Sequence, residues 1–162
     1  MNRTDRLMGI VAHLQSRKYQ TAEQMADAVM GALPCDAAVM VAAVADWRVE
    51  PSIQKLKKTQ GRLSLNFTPT RDILAELGAS PKRPTLLVGF AAETDDVVAN
   101  AIAKRAAKHA DWMVANDVSG DVMGGTHNRV HLVTGQGVEN WPEASKESVA
   151  ARLVERISEV LS

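Results

Sequence analysis

The chain has 162 residues, 46 % of them hydrophobic and 23 % charged, enough apolar material for one domain with one core. Lysine plus arginine equals aspartate plus glutamate, at 19 each, so the overall basic balance of a nucleic-acid binder is excluded and any anion site has to be local. A single cysteine, Cys35, rules out an intrachain disulfide framework, and neither a signal-peptide pattern nor a membrane-length apolar run is present, so a cytoplasmic, membrane-free protein is expected.

In chain order, Leu7, Ile10, Val11 and Leu14 recur at helical spacing and predict a short amphipathic helix. A second helix begins at "TAEQ", where Thr21 and Gln24 hold capping-box positions, buries Met25, Val29 and Leu33, and stops at Pro34. The continuous apolar run Ala37 to Val44 reads as a strand covered on both faces. It empties into Asp46, Trp47 and Arg48, and then into the lysine cluster Lys55, Lys57 and Lys58. "RLSLNF" alternates Leu63, Leu65 and Phe67 as a half-buried strand, and a short helix is predicted from near Thr70 to Gly78.

"TLLVGFAA", Thr85 to Ala92, is the second fully apolar strand, followed by a helix from about Asp95 to His109. Asp95 and Asp96 stand at the positive end of that helix. "DWMVAND" and "RVHLVTG" supply two more strands, and a last helix from Lys146 to Leu161 is expected to bury Val149, Leu153, Ile157 and Val160. "ASPKRP" and "GQGVENWPEAS" read as surface connections. Alternation of strands and helices predicts an α/β fold, a Rossmann-like, doubly wound and mostly parallel sheet in three layers.

In such sheets ligands gather outside the carboxyl ends of the strands. The exits Asp46 and Trp47, Phe90 and Glu93, and Asn116 and Asp117 therefore mark one candidate edge. Lys104 and Lys108, four apart on one helix face, could hold a phosphate jointly, and the Lys55 loop could close over it. Solvated lysines account for both groups more simply. No phosphate-cradling glycine motif is present. His127 and His131 make a poor zinc pair, and Cys35 lacks a basic neighbour that would make it a nucleophile. No metal site is expected from the chain's own residues.

"AAVADW", the "KLKK" loop, "TPTRDIL", "VGFAAET", the paired lysines and "DWMVANDV" form an ordered set. That set resembles the phosphopantothenate–cysteine ligase domain of coenzyme A biosynthesis, from the DNA/pantothenate metabolism flavoprotein family. In bacteria the domain usually follows a flavin-dependent phosphopantothenoylcysteine decarboxylase in one bifunctional chain. The resemblance covers residues 21–162, whereas residues 1–20 diverge. It implies a two-step ligation in which CTP, with Mg²⁺, activates 4′-phosphopantothenate as an acyl-cytidylate and the amine of cysteine displaces CMP.

By position, Asp46 matches the family's nucleotide-contacting acid, and Met40, Val41 and Ala42 the strand backbone beside it. Lys55 matches the first lysine of the phosphate loop and is the residue expected to serve catalysis. Thr70, Arg71, Asp72 and Ile73 match a nucleotide-binding turn, although Arg71 stands where the family commonly has proline. Phe90 corresponds to an aromatic wall, and Lys104 and Lys108 to two lysines on CTP. Asn116 lies in an "AND" motif whose expected role is structural or site-lining.

The family's glycine-rich opening turn and its following arginine- and asparagine-bearing segment have no match, and no FMN is expected in this chain. The resemblance is to the carboxyl-terminal half of a ligase. It implies a homodimer, a partner chain supplying the other half, or a truncated gene product. The alternative expectation is a non-catalytic nucleotide-binding remnant or subunit. An unrelated dinucleotide-binding reductase would need the glycine fingerprint that is missing.

Overall fold

The computed structural model describes residues 21–41, 44–49, 65–119 and 127–162. The predicted first helix, Ala42, Leu63 and the lysine loop with Lys55, Lys57 and Lys58 lie outside them.

Helix α1 (Ala22–Gly31) starts where the capping box places it. The Gln24 N–H donates to the Thr21 hydroxyl at 3.2 Å, and the Thr21 N–H donates to the Gln24 side chain at 3.2 Å. Strand β1 (Ala37–Met40) follows, then an antiparallel pair of short strands, β2 (Trp47–Val49) and β3 (Phe67–Pro69). Helix α2 (Ile73–Ala79) is capped by Asp72, which accepts from the Ala75 N–H. The core strand β4 (Leu86–Glu93) leads into helix α3 (Val97–Ala107) and strand β5 (Trp112–Asp117). Strands β6 (His127–Val133), β7 (Val138–Asn140) and β8 (Ala144–Ser145) precede the final helix α4 (Lys146–Leu161).

The main sheet has the order β1-β4-β5-β6-β7, with β8 paired to β6. Pairings β1–β4 and β4–β5 are parallel; β5–β6 and β6–β7 are antiparallel. The α/β, Rossmann-like fold is therefore observed, and its sheet is mixed: the parallel part is confined to the three strands whose exits mark the candidate edge. Side chains alternate across it. Leu87, Ala91, Met113 and Ala115 pack with α1, α2 and α3, whereas Leu86, Val88, Trp112 and Val114 pack with α4. Helices thus cover both faces, giving three layers.

Several expectations are corrected. Strand β1 is half-buried and not sheathed on both faces, because among the described residues it pairs only with β4 while α4 packs farther along the sheet, against β6 and β8. Val41, just beyond it, is 60 % exposed. Leu65 and Phe67 are exposed, since the β2–β3 pair stands apart from the main sheet. Val160 is exposed on the outer side of α4. The segment "GQGVENWPEAS" is more than a surface loop: it contains β7 and β8 and buries Trp141 in the α4-side core. Asp96 adopts φ 44° ahead of α3, and its side chain makes no capping bond.

Helix α2 meets the end of α3 at backbone distance. A methyl group at Gly78 would lie 2.2 Å from the Lys108 carbonyl oxygen, and neither backbone segment can yield as a side-chain tip would. Gly31, at the end of α1, has nothing within 4 Å of the equivalent position. Gly78→Ala should cost about 1–3 kcal/mol in urea denaturation, as overpacking does. Gly31→Ala should be neutral or stabilising by up to about 1 kcal/mol. Equal midpoints for the two variants would contradict this packing.

Candidate functional site

Strands β4 and β5 finish side by side, and β1 finishes four residues short of them. Met40 is level with Gly89, and Glu93 is level with Asp117. Glu93, Asn116 and Asp117 consequently share the ends of β4 and β5, and Asp46 follows β1; of the other residues expected at the exits, Phe90 lies inside β4 and Trp47 in the separate β2–β3 pair.

The turn between β3 and α2 closes onto this edge. The Thr70 N–H donates to the Asp46 carbonyl at 2.9 Å, and the Thr70 hydroxyl donates to the Ala45 carbonyl. Arg71 reaches the other way. Its Nε and Nη2 grip both oxygens of Glu76 at 2.9 and 2.5 Å, and its Nη1 meets Asp27 on α1 at 2.8 Å. The fork-to-carboxylate geometry explains why arginine serves here, since a proline could make none of these bonds. Hydrogen bonding from Arg71 holds the Glu76 carboxyl below its ordinary range, and bonds from Glu76 and Asp27 raise the Arg71 guanidinium above its own.

Asp72 divides its oxygens between two helices. Oδ1 accepts from the Ala75 N–H at 3.0 Å and caps α2, while Oδ2 pairs with the Lys108 ammonium at the end of α3. One turn earlier on α3, the Lys104 ammonium lies 2.6 Å from Glu93 Oε1. Glu93 is largely buried, with a side chain 13 % exposed. Its Oε1 has no directional hydrogen bond despite that short distance, so the contact is an ion pair off the hydrogen-bond axis. At the next strand, Asp117 accepts from the Ser119 hydroxyl at 2.6 Å and the Ser119 N–H at 3.0 Å, and these bonds depress its carboxyl. Arg129 stands 3.9 Å away.

Thr70 joins Asp46, Asp72 joins Lys108 and Lys104 joins Glu93, whereas Arg71 turns away to Glu76 and Asp27. Met40 packs on the face covered by α1, α2 and α3. Phe90 belongs to the opposite face, against the α4-side core, near Asn116, whose Oδ1 is buried without a partner. Val41 is exposed beside it, and Ile73 is a core residue whose side chain is buried. Ala42 and Lys55 lie outside the described residues. Trp47 is 60 % exposed, in contrast to the buried Trp112 and Trp141. His131 is occupied by Asn140 at 2.7 Å. Among the described residues no group of three or more His, Cys, Asp or Glu could hold a metal ion, and no helix is long and apolar enough to cross a membrane.

Sequence reasoning missed Glu76 and Asp27, the partners of Arg71, because the contact joins two helices and carries no periodic signal. It also missed Ser119, which a D-x-S turn pattern would have pointed to.

The family model for the DNA/pantothenate metabolism flavoprotein C-terminal domain matches residues 7–161. The coenzyme A biosynthesis bifunctional protein CoaBC of Bacillus subtilis is 38 % identical over 144 residues, 86 % of this chain and 35 % of that protein. A cysteine/cysteine sulfinic acid decarboxylase from an unknown prokaryotic organism is 36 % identical over 143 residues, 85 % of this chain and 40 % of the relative. The chain thus spans about two fifths of the length of these relatives. The crystal structure of the C-terminal domain of CoaBC superposes with a TM-score of 0.68 at 31 % identity, over 88 % of this chain and 64 % of that one.

Glu76 and Asp117 have folded-state pKa values below their unfolded ones. Their contribution is complete above the unfolded carboxylate values, about 4, and is lost as pH falls through the lower folded values. Stability should therefore decline below about pH 4, and Arg71→Met should make that acid limb shallower. At pH 7 the variant should be only slightly less stable, because the pair is partly exposed. Denaturant melts at pH 7, 4 and 3 measure both effects; an unchanged acid limb in the variant would remove Arg71 as the cause.

Proposed function

The chain belongs to the DNA/pantothenate metabolism flavoprotein C-terminal domain family, and from that membership we propose that it is the nucleotide-holding part of a phosphopantothenate–cysteine ligase. In this reading CTP activates the carboxylate of 4′-phosphopantothenate as an acyl-cytidylate with loss of pyrophosphate. The cysteine amine then attacks the acyl carbon, and CMP leaves with the bonding electron pair. A role in coenzyme A biosynthesis is also what the names of the CoaBC relatives suggest.

The observation that carries the reading is the Thr70–Asp72 turn, which joins the strand exit at Ala45 and Asp46 to the α3 lysines. A triphosphate at this edge would exchange for the carboxylates now held by Lys104 and Lys108. Two ammonium groups one helical turn apart suit adjacent phosphates. Lys55 is assigned to close over those phosphates, offsetting charge that develops on the departing pyrophosphate. On the other face, the ring of Phe90 and the unpartnered carbonyl of Asn116 offer a base a wall and an acceptor. Mg²⁺ supplies charge neutralisation when bound. With no protein cage for it among the described residues, it is expected to arrive on the phosphates, as this ion commonly does.

A second reading, a subunit that binds nucleotide without turnover, is favoured by one feature. Both α3 lysines are already satisfied by Asp72 and Glu93, so they have structural work without a ligand.

Calorimetry with CTP and Mg²⁺, with pyrophosphate release followed in the presence of 4′-phosphopantothenate and cysteine, separates the readings. Release that requires 4′-phosphopantothenate is the expected outcome. Binding without release selects the second reading, and neither event rejects both. Lys108→Ala should weaken CTP about tenfold or more, the worth of one charge-assisted bond. Unchanged affinity would remove Lys108 from the site.

A further inference from the structure

At the sheet edge opposite the strand exits, the chain forms a cavity of about 520 Å³, within the range of small-molecule sites. The end of α3, the start of β5, the turn between β6 and β7 and the last turns of α4 enclose it. Its acidic groups are already engaged. Asp111 Oδ2 accepts from Arg83 at 2.6 Å and from the Leu87 N–H at 2.7 Å. Glu139 takes Arg156 at 2.6 Å and the Trp141 indole at 3.4 Å, and Arg156 is shared with Glu159 at 2.7 Å.

Arg105 is different. It is half-buried, its Nη1 makes only two long contacts, each 3.4 Å, to the carbonyls of Ala110 and Asp111, and its Nε is buried with no acceptor. Among the described residues it is the half-buried lysine or arginine with no carboxylate in ion-pair range. Withdrawing a guanidinium from water without a counter-ion is costly, and partly satisfied sites of this kind favour an anion. The wall before it is bare. A methyl group at Gly135 would stand 3.7 Å from Arg105 Nη1, so a longer side chain would cover the guanidinium that glycine leaves open.

We propose that this cavity binds a small oxyanion, the phosphate or carboxylate group of a metabolite, with Arg105 as its counter-ion. The planar fork of a guanidinium matches two oxygens of either group. The site is separate from the edge assigned to nucleotide, since it lies at the amino end of β5.

The test is a titration of the ¹⁵N-labelled 162-residue chain with sodium phosphate, and separately with sodium acetate, at ionic strength held constant with chloride. Saturable shifts of the Gly135 and Gly137 amides and the Trp112 indole are expected with at least one anion. Response to phosphate alone assigns the site to phosphate; response to both assigns it to oxyanions generally. Arg105→Gln and Gly135→Leu should each weaken binding about tenfold or more. Should Arg105→Gln fail to fold, Gly135→Leu carries the comparison, because its first carbon meets only ordinary contacts. Shifts that never saturate, or equal affinity in wild type and the folded variants, overturn the proposal.

Discussion

The junction of α2 with α3 at the candidate edge depends on one carboxylate with two duties. Asp72 caps α2 with one oxygen and holds Lys108 with the other, so the start of one helix and the end of another are fixed by a single side chain. Taken alone, a pair exposed to this degree contributes on the order of 1 kcal/mol or less. Its importance is geometric. Beneath it, Gly78 lets the two helices approach until only a hydrogen atom fits between their backbones. Thr70 and Arg71 extend the same connection to Asp46 and to α1.

Local organisation of charge matters more in this molecule than its total. The net charge is zero, yet Lys104 and Lys108 are ion-paired with Glu93 and Asp72, while Arg105, next along α3, lies beside Gly135 in the turn between β6 and β7. Adjacent residues on a helix project about 100° apart, so one short segment can serve both places. The lysines are paired and the arginine is not.

Much of the fold was legible because its elements carry strong local signals. The capping box of α1, the apolar run of β4 and the stripe of α4 each depend on residues close in sequence, and each element formed near its expected bounds. The exits at Glu93, Asn116 and Asp117 were legible too, since parallel strands deliver their carboxyl ends to one edge. What escaped was tertiary. The exposure of Val41 follows from where α4 happens to pack, and β7 and β8 form because Trp141 needs burial against α4 and β6. The engagement of Arg71 with Glu76 and Asp27 ties α1 to α2 through one guanidinium, a contact that no periodicity signals.

The most direct test of the central claim is an amide chemical-shift map of the chain on addition of CTP and Mg²⁺. The account predicts saturable shifts at Ala45 to Trp47, Thr70 to Asp72, Ala92 and Glu93, and Lys104 to Lys108, the residues gathered where the parallel strands end. Shifts confined to the Thr134–Gly137 turn, or none at all, would contradict it, because the nucleotide would then be ignoring the edge that Asp72 and its neighbours assemble.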